Sequence, residues 1–205
     1  MSGFLRLLSL SIALFAAPIQ SAAEAEPPGR VGRISLASAG TQLRIGDSLA
    51  SGEDALNWPL TTGAFIETSA GGRSEVRIGS MALHIDAGTA LEFADLDDAR
   101  IRLRLHRGSI VIVLRNPEHA AETTLETPEG SLRFETPGSY RADVAGGTTA
   151  FSAYRGRAFI ETFGLTVHAG ERLVLLGGPD RRHLLGQAAS DAFRQWSLAR
   201  EPGPA

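Results

Sequence analysis

The sequence predicts an all-β fold of stacked short strands, an irregular β-solenoid or roll, with a short C-terminal helix. Three observations predict it. Apolar and polar residues alternate in short runs from Arg30 onward, glycine opens many of those runs, and Pro117, Pro128 and Pro137 fall between runs. Alternation puts successive side chains on opposite faces of a strand. Glycine supplies the positive φ of tight corners, and proline, which has no N–H, stays out of ladder interiors.

Taken in order, residues 1–23 predict a secretory leader: Arg6, an apolar run over residues 7–17, Pro18, then Ser21, Ala22 and Ala23. The run is shorter than the roughly 20 residues that span a bilayer, so a signal peptide cut near Ala23 or Ala25 is expected rather than a retained anchor. No cysteine follows the run, which argues against lipoprotein processing. Nothing later is apolar enough to cross a membrane. A periplasmic or secreted protein, with no membrane span after cleavage, is the expectation. Residues 24–29 (EAEPPG) predict a linker.

Residues 30–180 carry the β pattern. It is clearest over residues 100–105, where Ile101, Leu103 and Leu105 share one face and Arg100, Arg102 and Arg104 the other. Residues 75–78 and 83–86 alternate similarly. His84 and His106 fall on the polar phases of such runs, which predicts solvated histidines. Residues 110–114 (IVIVL) are continuously apolar and predict a strand buried on both faces, with residues 174–176 similar. Glycine-led runs begin at 88, 108, 130, 138, 156 and 170, irregularly spaced, as in stacked rungs of short strands. Residues 95–98 and Gly146-Gly147 predict hairpin tips. Residues 181–205 form a tail, with a helix over about 190–200. There Ala192, Phe193, Trp196 and Ala199 sit at helical spacing behind Ser190 or Asp191 as N-cap. This helix is either a docking element for a partner or a cap over the open end of the β core, where an exposed edge needs covering.

Composition narrows the function. Hydrophobic residues make up 43% of 205, enough for one packed domain. The formal net charge is −3, and −4 once Arg6 leaves with the leader. Such a balance gives no electrostatic case for nucleic acid. All 20 basic residues are arginine, which fits either bidentate anion recognition or a GC-rich genome. With no cysteine, disulfides, thiol catalysis and thiolate metal sites are excluded.

No residues are assigned to catalysis, a cofactor or a metal. The five histidines have no metal-ligand spacing, and neither a nucleophile elbow nor a phosphate-binding loop occurs. Asp95, Asp97 and Asp98 lack the glycine and distant glutamate of calcium loops. Trp58 and Trp196 read as core or cap residues. The surface feature that stands out is a row of Arg100, Arg102, Arg104 and Arg107, a candidate surface for an acidic partner or an anionic envelope polymer. The alternative is cross-strand pairing with carboxylates such as Asp86 or Glu92.

Residues 58–114 resemble the FecR domain of bacterial envelope proteins. The resemblance is carried by Pro59-Leu60-Thr61-Thr62-Gly63, by residues 68–79 (TSAGGRSEVRIG), by residues 83–89 (LHIDAGT) and by residues 104–110 (RLHRGSI). Residues 136–141 (TPGSYR) and 167–171 (VHAGE) resemble later turns, and residues 27–40 resemble the start of an exported subgroup of undefined role. The resemblance implies a stack of short strands and a periplasmic recognition role. Its membrane-anchored members control an alternative sigma factor through a cytoplasmic segment that has no counterpart here. Longer relatives continue into a tail that is not expected past Ala205. The expected function is a non-enzymatic recognition module acting by protein contact in envelope signalling or assembly, or else a structural binder of cell-wall or exported polysaccharide.

Overall fold

Backbone pairing turns the alternating runs into two sheets that share one strand. The computed structural model describes residues 29–178, 182–188 and 190–201. The leader, most of the linker, Pro179 and residues 202–205 lie outside them.

The chain forms β1 (Gly32–Ala37), β2 (Thr41–Ile45), β3 (Ser48–Ser51), β4 (Pro59–Leu60), β5 (Phe65–Thr68), β6 (Ser74–Ile78), β7 (Met81–Ile85), β8 (Ala90–Leu96) and β9 (Ile101–Leu114). A short helix α1 (Pro117–Glu122) precedes β10 (Thr123–Thr127), β11 (Gly130–Phe134), β12 (Gly138–Ala145), β13 (Thr148–Arg155), β14 (Ala158–Ile160), β15 (Leu165–Val167), β16 (Glu171–Leu176) and β17 (Arg182–Gln187). Helix α2 (Ala192–Leu198) follows.

One sheet runs β4-β1-β6-β7-β9-β12-β13-β16-β17. The other runs β3-β2-β5-β8-β9-β10-β11-β14-β15. Successive strands and hairpins alternate between the layers, which is how the expected stack of short strands is realised. Only β9 and β10 pair in parallel among the described residues, so the form is a roll of antiparallel hairpins.

One apolar core lies between the layers. Ile34, Val76, Leu83, Ile112 and Phe151 meet Leu43, Ile66, Leu91, Phe93, Leu103, Leu125 and Ile160, all buried. The alternation of residues 100–105 holds: Ile101, Leu103 and Leu105 are buried while Arg102 and Arg104 are half-buried on the outer face.

Strand β9 serves both sheets by turning a corner. Residues up to Arg107 pair with β8, and residues from Gly108 onward pair with β12. Gly108 has φ 88°, and a Cβ there would stand 2.4 Å from Thr89 Cα. Both constraints require glycine. The Thr89 hydroxyl secures the corner, accepting from Ser109 N–H at 3.0 Å and donating to Ser109 O at 3.2 Å.

Two elements differ from expectation. Pro117 opens α1 rather than merely separating two runs, and Asn116 caps it by accepting the His119 N–H at 2.8 Å. Proline suits a first helical turn, whose N–H groups have no intrahelical acceptor. Strand β17 lies in the predicted tail. All six of its residues are exposed, so it carries no burial pattern to read. Residues 174–176 are buried on one face only: Leu175 is buried, and Val174 and Leu176 are half-buried.

Gly108→Ala should lower the free energy of unfolding by about 2–5 kcal/mol, combining a left-handed backbone cost of about 1–2 with overpacking of about 1–3. Gly46→Ala, also at positive φ but facing open space, should cost only about 1–2 kcal/mol. Urea denaturation followed by circular dichroism measures both; equal losses would remove the corner argument.

Candidate functional site

The predicted arginine row lies on the outer face of the β8-β9-β10 sheet, where β9 projects every second side chain to solvent. Arg102 pairs with Asp95 at 2.8 Å and Glu126 at 3.6 Å. Arg104 pairs with Glu92 at 3.1 Å and Glu126 at 2.9 Å. Arg107 pairs with Glu67 at 2.9 Å, and His106 Nε2 lies 3.0 Å from Glu92. Arg100 sits in the hairpin tip before β9. Its backbone N–H donates to Asp97 Oδ1, and no carboxylate lies within ion-pair distance of its guanidinium among the described residues. Glu92 is thus a cross-strand partner, whereas Asp86 binds Arg73 at 2.8 Å instead. The face is a mosaic of alternating charge. Asp97 Oδ1 accepts two backbone N–H groups of its own loop, from Ala99 and Arg100, which hold its carboxyl below the usual range. Asp97 thus builds the turn while Asp95 pairs with Arg102 from β8, and no group of three or more metal-ligating side chains occurs among the described residues.

The outer face of the other sheet is covered. Helix α2 starts at Asp191, whose carboxylate accepts the Arg194 N–H at 2.8 Å, and lies across β7, β9 and β12. Phe193 packs on Ala82, Val111 and Val113, with Trp196 and Tyr154 at the margin. This is why residues 110–114 are buried on both faces: Ile110, Ile112 and Leu114 enter the central core while Val111 and Val113 lie under α2. The helix is a cover, as one of the two expected roles had it, but it lies on the outer face of the central strands and not over the open end of the core. It covers a sheet face, and Ala192 and Ala199 stay exposed. Arg194 and Ser197 are buried in their stead, so helical spacing of apolar residues alone misplaced the buried stripe.

Around that apolar patch lies a polar rim. Glu75 accepts from Arg200 and Arg77, at 2.7 and 2.6 Å, and from Ser35 at 2.9 Å. Burial opposes its ionisation, but these hydrogen bonds outweigh burial and hold its pKa below normal. On the other flank, Arg141 donates to both oxygens of Asp191 at 2.8 Å and to Asp143 at 2.7 Å. Arg194 bridges Ser139 at 3.1 Å and Glu201 at 2.8 Å. Guanidiniums also stack on rings: Arg73 and Arg200 on Trp196, Arg141 on Phe193, and Arg194 on Tyr154 at 3.9 Å. Planar, fork-shaped cations suit both tasks, which lysine would not.

His84 corrects an expectation. It is not solvated but 0% exposed, on the polar phase of β7 directly beneath α2. Its Nδ1 is 2.7 Å from Ser197 Oγ, while Nε2 has no hydrogen-bond partner among the described residues and lies 3.9 Å from Glu75. Burial, opposed by the charge of Glu75, brings its pKa to about 4, so it is neutral at pH 7. The signal was available in the register: His84 pairs with Val111, whose own outward side chain demands cover. His106, by contrast, is exposed as expected. Ser197, His84 and Glu75 are all buried, so this file of side chains offers no substrate access and acts as a dock for α2. Trp58 is half-buried against the central core.

No family model matches the chain, and no curated protein matches it. Among the solved structures that do match are two of a candidate anti-sigma factor from Parabacteroides distasonis, each with a TM-score of 0.53. They are 12% and 13% identical and cover 67% of this chain. The match spans 65% and 64% of those chains, so part of each has no counterpart here. At such identity the likeness is one of fold.

Two outcomes follow from the covered face. His84 takes up protons in the unfolded state near 6.5 but in the folded state only near 4, so its stabilising contribution is complete above about 6.5 and is lost as pH falls toward 4. The loss amounts to about 3 kcal/mol. His84→Asn, which keeps a polar group toward Ser197, should flatten urea stability between those pH values. His119, also held low chiefly by burial, should leave a smaller residual slope. Separately, Arg141→Lys keeps the charge but loses the guanidinium fork that joins Asp143 through Nε to Asp191 through Nη1, and the stacking on Phe193. Thermal unfolding should report a loss of about 1–2 kcal/mol.

Proposed function

We propose that this chain is a non-enzymatic FecR-like recognition module of the bacterial envelope, exported by the leader over residues 1–23 and acting by protein contact in periplasmic signalling or assembly. The observation that carries the reading is the fold likeness to a candidate anti-sigma factor. The FecR-like motif residues support it as builders of corners. Thr62 Oγ1 accepts the Leu96 N–H at 2.9 Å, Gly63 N–H donates to Phe93 O at 2.8 Å, and Gly108 makes the β9 bend. Such residues preserve a scaffold and leave its surface free to specify a partner.

The partner face in this reading is the open mosaic carrying Arg100, Arg102, Arg104 and Arg107, since the opposite sheet face is occupied by α2. A surface of alternating charges selects a partner with the complementary pattern and disfavours others through like-charge contacts. The reading requires no metal or cofactor.

Affinity capture from envelope extract should recover one protein with the exported chain. Arg102→Glu combined with Arg104→Glu should reduce recovery at least about tenfold, equivalent to about 1.4 kcal/mol. Arg33→Glu, on the exposed side of β1, should leave recovery unchanged. Recovery of the bait alone, with co-sedimentation on purified peptidoglycan, would replace this reading by glycan binding.

A further inference from the structure

We propose that two copies of this chain associate through β17, whose free edge pairs antiparallel with its own symmetry mate to extend one sheet across both protomers. The inference rests on this edge and is independent of the partner face above.

Strand β17 bonds to β16 on one side, and no strand pairs with its other side among the described residues. Leu184 and Leu185 are 59% and 66% exposed on opposite faces of it. Proteins ordinarily blunt such an edge with charges, proline, a bulge or a covering element. Beyond Arg182, β17 has none of these among the described residues.

The ladder identifies which groups are free. The Ala188 N–H donates to Gly170 O, and the Gly177 N–H donates to Gly147 O. Odd-numbered residues of β16 therefore bond toward β13, and even-numbered residues of β16 and β17 bond toward each other. His183, Leu185 and Gln187 are left with N–H and C=O groups directed at the open edge.

A two-fold axis through Leu185 uses all of these groups. Leu185 then bonds to its own mate, and His183 bonds to Gln187 of the second copy. The two Leu185 side chains meet on the core side of the sheet. Each Leu184 lies over Gly186 of the mate, where no side chain obstructs it. Arg182 faces Ala188, so no like charges are opposed and the strand is complementary to itself. The far edge of this sheet ends in the two-residue β4, which contains Pro59 and cannot propagate pairing. The association closes as a dimer instead of growing into a fibre. One strand pair is small beside the roughly 1,200–2,000 Å² of stable complexes, so the dimer is concentration-dependent.

The exported chain contains no cysteine, which makes disulfide trapping clean. Light scattering of the folded chain over about 10 μM to 1 mM should show the mass doubling. Leu185→Lys, which opposes two like charges at the axis, should shift the midpoint at least about tenfold upward without changing the thermal unfolding midpoint. Under mild oxidation Leu185→Cys should form a covalent dimer, because directly opposed residues lie about 5.5 Å apart, within disulfide reach. Leu184→Cys should trap far less, and Leu49→Cys, 72% exposed on edge strand β3, should trap none. A monomer at every concentration, a dimer indifferent to Leu185→Lys, or equal trapping at Leu49→Cys would each overturn the proposal. A monomer that pairs only with an added extended acidic peptide would assign the edge to a different occupant.

Discussion

The architecture depends on a single strand belonging to two sheets. Strand β9 is 14 residues long, and its two halves hydrogen-bond in different layers. A continuous strand can do this only by bending sharply, and the bend sits where Gly108 presses on Thr89. With the corner made, β7 and β12 must flank its second half, while β8 and β10 flank its first. Every other hairpin then adds outward from one of those neighbours.

The same bend explains why the two outer faces differ. The first half of β9 presents Arg102 and Arg104, which water and cross-strand carboxylates satisfy. Its second half presents Val111 and Val113, which must be covered. A helix of seven residues has little stability alone, so α2 is held by what it lies on. Its apolar contact is narrow, and a rim of paired, buried charges surrounds it. Those charges are costly to desolvate and are tolerated because nearly every one has a partner. Neutral His84 fits this scheme, since a buried cation there would add an uncompensated cost.

The arginine-only composition gains a physical meaning from this rim. Arg141, Arg194 and Arg200 each combine a carboxylate with an aromatic face. Whatever set the codon usage, these sites exploit planarity, not charge alone. The functional reading follows the same division. One face is consumed in holding the helix, which leaves the mosaic face and the β17 edge among the surfaces open to other molecules.

The sequence by itself determined what rests on local periodicity. Alternation over residues 100–105 told which side chains enter the core, the IVIVL run told that both faces of that segment are covered, and Ser190 or Asp191 with the following spacing told where α2 begins to within one residue. It also placed the hairpin tip at Gly146-Gly147, but set the other tip two residues early: Asp95 and Leu96 still pair within β8, and the turn runs over residues 97–100. Only the tertiary structure decided what depends on neighbours distant in the chain. His84 obeys a polar phase yet is buried, because Val111 beside it draws α2 across both. The arginine row reads as basic in one strand but is balanced by Glu92, Asp95 and Glu126 from the strands on either side. Strand β17, having neither face buried, leaves no alternating pattern, its two leucines standing side by side. Periodicity records whether a residue's own face is wet or dry in isolation; which partner covers it is a property of the register between strands, and register is assigned only when the sheets assemble.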